Sequence, residues 1–211
     1  MCPAAFFVTT QPVVGRQQQW RECVRRVGTV RERPALACPR RQPEYDGHPA
    51  PLAERSQVRA RIGEPISNEK VEGAVRYRDY QNGRLTWTEA IGVKHMEGHI
   101  FAKYLQEDGL HHWAFGAPTT DETSTPDGVG RFNHFAGGGS IYWTVATGPH
   151  LIYGGIKKRW QELGWERSYL GYPTSGELDV PGGRCSDFQH GSIFYNSATG
   201  VSTDRSVRCK A

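Results

Sequence analysis

The sequence predicts a mainly β protein with short helices, built as a tandem array of one small unit, each unit a hairpin plus a short helix. Three observations predict it. A Gly- and Pro-punctuated motif recurs three times at near-constant spacing. An aromatic-rich segment with a glycine turn follows each copy. The composition also suits turns and short strands: 25 Gly and 13 Pro stand among 211 residues, with 37% hydrophobic and 11% aromatic residues. Rings rather than aliphatics must therefore supply much of the core.

The first anchor reads IGEPISNE at 62–69, FGAPTTDE at 115–122 and LGYPTSGE at 170–177. Its glycines, Gly63, Gly116 and Gly171, are spaced 53 and 55 residues apart, and Glu69, Glu122 and Glu177 keep the same spacing. Pro65, Pro118 and Pro173 complete the Gly-x-Pro core. Gly-x-Pro after a helix is a stop signal, because Gly adopts the turn past the helix end and Pro cannot extend it.

The second anchor is DYQNGRLTW at 79–87, HFAGGGSIYW at 134–143 and DFQHGSIFY at 187–195. An aromatic, a Gly turn and an apolar-x-aromatic strand read as a hairpin. Alternation places Ile141 and Trp143 on one face and Tyr142 on the other. By the same rule Trp87 and Tyr195 face inward, and Thr86 and Phe194 outward. The third anchor is a glycine five residues on, Gly92, Gly148 or Gly200, the last two within Ala-Thr-Gly.

The fourth anchor is GHIFAKYLQEDG at 98–109 and GGIKKRWQELG at 154–164. Ile100 with Tyr104, and Ile156 with Trp160, are i,i+4 pairs on one face of a short helix. The third copy ends before its helix, and only a vestige is readable upstream, over 52–60. The units therefore run about 62–114, 115–169 and 170–211 within a repeat domain of 58–211. A hairpin with one short helix cannot stabilise itself. Neighbouring units must stack and share rings, as in a solenoid or a propeller-like ring.

Residues 1–57 are different. They hold nine Arg, no Lys, five acidic residues and seven Pro, so the whole net charge of +4 resides there. Their apolar content is too sparse to offset ordering entropy, and a disordered Arg/Pro-rich tail is expected, with a short helix over 17–27. The repeats carry balanced charge, which argues against a nucleic-acid partner. No export signal is readable, since the apolar run over 4–8 is short and has no basic residue before it. No segment approaches the roughly 18 apolar residues of a membrane span.

This pattern resembles the LGFP repeat family. The resemblance rests on LGYP at 170–173 with FGAP and IGEP in the other copies, on GSIYW at 139–143, on Ala-Thr-Gly at 146–148, and on the Gly-Gly-Ile…Trp segment at 154–160. It implies an extracellular or envelope-associated module, found alone or fused to mycolyltransferases, esterases and peptidoglycan hydrolases, that tethers to cell-wall polysaccharide. It also implies a pseudo-symmetric ring-like arrangement. The few units here depart from that pattern, which puts ring closure by one chain in question and leaves oligomerisation as another way to complete a ring.

Candidate sites follow. Glu69, Glu122 and Glu177 recur in every unit, so they read as scaffold bonding turn amides in their own unit rather than as catalytic acids. Trp87, Trp143 and Tyr195 read as core. Tyr142 and Phe194 on the outward face, with Trp113 and Trp165 before the Gly-x-Pro turns, are the candidate sugar-stacking rings. His95, His99, His111 and His112 lack H-E-x-x-H, so no metal site is expected. No cofactor fingerprint and no Gly-x-Ser-x-Gly elbow is present. Cys185 and Cys209 either form a disulfide closing a 24-residue separation, which implies an oxidising compartment, or remain two thiols. The expected function is a non-catalytic module binding cell-wall polysaccharide or peptidoglycan. The alternatives are a small secreted hydrolase and a structural module that binds another protein.

Overall fold

The computed structural model describes residues 52–209, with side chains from Ser56 onward. Helix α1 spans Leu52–Ile62 and leads into an antiparallel sheet of β1 (Lys70–Glu72), β2 (Val75–Tyr80), β3 (Gly83–Thr88) and β4 (Gly92–Glu97). Helix α2 (Gly98–Gln106) and a 3-10 turn (Gly109–His111) precede the second sheet, of β5 (Thr123–Ser124), β6 (Arg131–His134), β7 (Ser140–Thr144) and β8 (Gly148–Ile152). Helix α3 (Gly154–Leu163) and a 3-10 turn (Trp165–Arg167) precede the third, of β9 (Leu178–Val180), β10 (Gly183–Phe188), β11 (Gly191–Asn196) and β12 (Ser202–Arg205). The protein is thus mainly β with short helices, and the described strands form three separate four-stranded antiparallel meanders.

The predicted hairpin is the central pair of each meander: β2–β3, β6–β7 and β10–β11. The unit is larger than a hairpin, because a short edge strand precedes the pair and a further strand follows it. The third-anchor glycines make that further strand: Gly92, Gly148 and Gly200 all sit at positive φ, between 69° and 78°, at or just before β4, β8 and β12.

The first two anchors recur together because they are hydrogen-bonded parts of one structure. Pro65, Pro118 and Pro173 bridge to Tyr80, Phe135 and Phe188, the aromatic that precedes each hairpin turn. The turn amides of Asn82, Gly137 and His190 donate to the carbonyls of Ile62, Phe115 and Leu170, at 2.9, 2.6 and 3.1 Å. The fourth anchor closes on the same place. Tyr104 Oη donates to Gly116 O at 3.0 Å, and Trp160 Nε1 to Gly171 O at 3.2 Å. Both rings are buried with their i−4 partners Ile100 and Ile156.

Each helix packs between consecutive sheets. Helix α2 lies against β3 and β4 on one side and β7 and β8 on the other. Its cluster joins Met96, Ile100, Tyr104, Phe115, Phe135, Ile141 and Leu151. The next cluster, around α3, joins Tyr142, Ile152, Ile156, Trp160, Leu170 and Phe188. The strand β7 therefore supplies Ile141 to one core and Tyr142 to the other, and both are buried. This corrects the expected outward placement of Tyr142. A strand covered on both faces does not alternate between core and solvent.

The ends depart from the pattern. Helix α1 begins inside the expected tail and runs directly into Gly63 without a 3-10 turn, and Arg61 pairs with Glu97 at 2.8 Å. The predicted helix over 17–27 lies outside the described residues. At the other end, residues 206–209 cross the sheet face that in the preceding unit receives the next helix. Ser192 Oγ donates to Val207 O and the Cys209 amide to Asp187 Oδ1, both at 2.7 Å. A Cys185–Cys209 disulfide fastens the segment.

Candidate functional site

The four predicted sugar-stacking rings have different fates. Trp113 is the exposed one, at 67%. It meets the Tyr153 ring edge-on, with centroids 4.7 Å apart, and stacks beside His112 at 5.8 Å. Tyr142 is interior, stacked on Phe132 at 5.2 Å and met by the edge of Trp160 at 4.7 Å. Phe194 is half-buried, with the Arg205 guanidinium over its ring at 4.4 Å. Trp165 is also half-buried. Its backbone is left-handed, at φ 60°, a conformation that a non-glycine residue holds only when its surroundings demand it. The demand comes from the core: the ring packs edge-on against Trp160 at 5.3 Å and lies over Tyr142 at 6.1 Å.

The rings expected in the core sit at its margin. Trp87, Trp143 and Tyr195 are half-buried. His99, at the start of α2, stacks on Trp143 at 5.2 Å. Arg76 lies over Trp87 at 5.8 Å.

The repeated acids were expected to bond turn amides of their own unit, and they do not. Each pairs with an arginine on the next strand of its own sheet: Glu69 with Arg76 at 3.1 Å, Glu122 with Arg131 at 2.5 Å, and Glu177 with Arg184 at 2.9 Å. These arginines were missed in the sequence. They follow their glutamates by seven, nine and seven residues, and the longer β5–β6 turn hid the repeat. Burial pushes the Glu122 and Glu177 carboxyls up despite their arginine partners.

Glu122 also joins two units. Its Oε2 accepts the Glu97 amide at 2.9 Å, and its own amide donates to His95 O at 3.1 Å. Asn133 Nδ2 donates to the same carbonyl at 3.2 Å, and the His95 imidazole meets Asp121 at 2.9 Å. This first junction is dense with polar contacts. At the second junction the phenol of Tyr172, the third residue of LGYP, bonds Asp127 at 2.6 Å and Thr125 at 2.7 Å. Arg167 donates to Pro126 O at 2.6 Å. Beside them, Tyr153 takes the place that Glu97 holds at the first junction, each preceding the first helical glycine. Burial, with the Glu177 charge alongside, pushes its phenol up to about 12.

Within the second core, burial and the Lys157 charge push His134 down to about 4 from its ordinary 6.5. Its Nδ1 meets Ser140 Oγ at 2.6 Å, and its ring faces Phe132, Tyr142 and Trp165. The unfolded chain protonates this histidine below pH 6.5 while the folded one keeps it neutral. Stability is therefore lost as pH falls from 6.5 to about 4. The raised carboxyls of Glu122 and Glu177 act with the opposite sign, so the isolating measurement is a comparison. Melting temperature against pH should fall less steeply for His134→Gln than for the natural chain over that window. Parallel curves would contradict the assignment.

Three stretches of the chain, residues 62–110, 115–168 and 170–205, match the LGFP repeat. The chain belongs to the LGFP repeat family. The matched stretches begin on Ile62, Phe115 and Leu170, the apolar residue that opens each Gly-x-Pro turn of this LGFP array. LGFP repeats are generally found in envelope-associated proteins. No curated protein matches the chain. Among the described residues of the array, no helix is long and apolar enough to cross a membrane, and no group of three or more His, Cys, Asp or Glu side chains could hold a metal.

Proposed function

We propose that this LGFP array is a non-catalytic binding module that tethers to cell-envelope polysaccharide or peptidoglycan. The observation that carries the reading is Trp113. It is a large ring, two-thirds exposed, supported edge-on by Tyr153 next to the junction of the second and third units. A flat ring held in that way packs against the C–H face of a pyranose at little ordering cost. The membership of the family and the Cys185–Cys209 disulfide support an extracellular or envelope location, since disulfides persist in oxidising compartments.

Ring-like completion of the array by association of chains belongs to the same reading. The Glu69–Arg76 pair supports it. Its side chains are 33% and 52% exposed, whereas the glutamates at the two internal junctions, Glu122 and Glu177, are 5% and 4% exposed.

The test is retention of the chain on immobilised envelope polysaccharide. Trp113→Ala is expected to bind about tenfold more weakly, the equivalent of roughly 1.4 kcal/mol, with the melting temperature unchanged. Equal retention of the two proteins would remove Trp113 from the binding surface.

A further inference from the structure

Among the described residues, the exposed large hydrophobic side chains include two aromatic rings, Trp113 at 67% and Tyr169 at 54%, and the rest are aliphatic. The two rings stand one repeat apart. Trp113 lies three residues before Gly116 and Tyr169 two before Gly171, each between a 3-10 turn and the Gly-x-Pro turn that follows it. The sequence pointed to Trp165 in the second of these segments. That ring turns into the core against Trp160, and Tyr169 is the one that faces out.

Each ring is held against the fourth strand of the meander that follows it. Trp113 meets Tyr153, the residue after β8, edge-on at 4.7 Å. The Tyr169 phenol donates to Asp204 Oδ2 in β12 at 2.5 Å. Strand register shows that these are corresponding places. Ile141 pairs with Leu151 and Ile193 with Asp204, so Leu151 and Asp204 correspond, and Tyr153 lies two residues beyond that position. The first unit follows the same plan with a charge in place of a ring: Arg61, two residues before Gly63, meets Glu97 at the end of β4 at 2.8 Å. Asp204 is itself fixed from α3, whose Arg159 donates to Oδ1 at 2.7 Å. Tyr169 is therefore tethered through its Oη, at the edge of the ring, while more than half of the residue stays in solvent.

A large ring left in water forgoes the stabilisation its burial would give. A single one needs no explanation. Two at the corresponding place of consecutive repeats, both restrained by a neighbour, point to a shared use. An exposed ring packs on the apolar C–H face of a pyranose, and a restrained ring loses little freedom in doing so. The polar groups beside the rings do not form a field of one sign. Asp204 and Glu162 flank Arg159 near Tyr169, and His112 lies beside Trp113. Such surroundings suit a hydroxyl-rich glycan better than a polyanion or a basic peptide. Two corresponding platforms, one repeat apart, suit a ligand that is itself a chain of repeating units.

We propose that Tyr169 is a second glycan-stacking residue, the counterpart of Trp113, and that the ligand is a polysaccharide segment long enough to lie across both rings. Each ring takes one sugar of the chain. The second contact is made by a ligand already held at the first, so its effective concentration there is high. This deepens the envelope-glycan reading and rests on it.

The experiment measures retention of the full chain on immobilised envelope polysaccharide, with competition by a size series of fragments made from that polysaccharide by partial hydrolysis. The variants are Trp113→Ala, Tyr169→Ala, the two combined, and Tyr169→Phe, with melting temperature recorded for each. Tyr169→Ala is expected to bind about tenfold more weakly, as Trp113→Ala does, and the double variant about a hundredfold. Tyr169→Phe keeps the ring and loses only the bond to Asp204, so it should stay within about twofold of the natural chain. Long fragments should compete better per sugar than the shortest ones, and the double variant should lose that dependence on length. Retention of Tyr169→Ala equal to that of the natural chain would overturn the second site and leave the glycan reading standing. Equal losses in Tyr169→Phe and Tyr169→Ala would also overturn it, because the bond to Asp204 and not the ring would then be what matters. Failure of the natural chain to be retained at all would sink the glycan reading itself.

Discussion

Replacing Trp160 with alanine is expected to lower the unfolding free energy by about 4 kcal/mol, near the upper end for loss of a large buried ring. The reason is position as much as size. Trp160 is fully buried and touches rings from both sides of a unit boundary: Tyr142 at 4.7 Å, Trp165 at 5.3 Å and Phe188 at 5.4 Å. Its Nε1 also satisfies the Gly171 carbonyl in the LGYP turn. Removing it opens a cavity between the second and third sheets and orphans a turn carbonyl. Urea unfolding of the natural chain, Trp160→Phe and Trp160→Ala measures this. Phenylalanine keeps most of the packing and loses the hydrogen bond, so it should cost roughly 1–2 kcal/mol. A cost below about 1 kcal/mol for alanine would mean that the units do not depend on a shared ring core.

Loss of the Cys185–Cys209 disulfide is the second large effect. The bond spans 24 residues, and the loop-closure model places its contribution at about 3 kcal/mol. Here it also holds residues 206–209 across the third sheet, over Asp187 and Ser192, where the next helix would lie in the pattern of the array. Cys185 is 2% exposed, so the bond is shielded on the sheet side. Cys185→Ala/Cys209→Ala should unfold at correspondingly lower urea, and hydrogen exchange should speed first in β10 and β11. A reducing agent should bring the natural chain to the same midpoint. Unchanged unfolding in both cases would show that the segment does not cap the sheet.

Much of the array was legible because its anchors carry fixed backbone jobs. Gly63, Gly116 and Gly171 all sit at positive φ, between 66° and 80°, which few residues other than glycine adopt readily. Ile100/Tyr104 and Ile156/Trp160 were legible as helix faces because both pairs are buried at i,i+4. The outer strands were not legible, since β1, β5 and β9 are only three, two and three residues long.

The candidate surface was harder to read. Tyr142 was assigned to solvent by alternation, a rule for sheets with one wet face, whereas α2 and α3 cover both faces of its sheet. Trp165 was read as a surface ring because nothing in its neighbourhood predicts a left-handed tryptophan turned inward. Tyr153 was overlooked because Glu97 fills its position in the preceding unit, so the repeat averaged it away.

The most direct test of the central claim is co-sedimentation of the full chain with insoluble bacterial cell wall, before and after its attached polysaccharide is stripped. The account predicts that the chain pellets with intact wall, that stripping releases it or leaves only the peptidoglycan-bound fraction, and that Trp113→Ala pellets less. A chain that stays in the supernatant with both preparations would contradict the account, and the LGFP array would then be a scaffold for a protein partner.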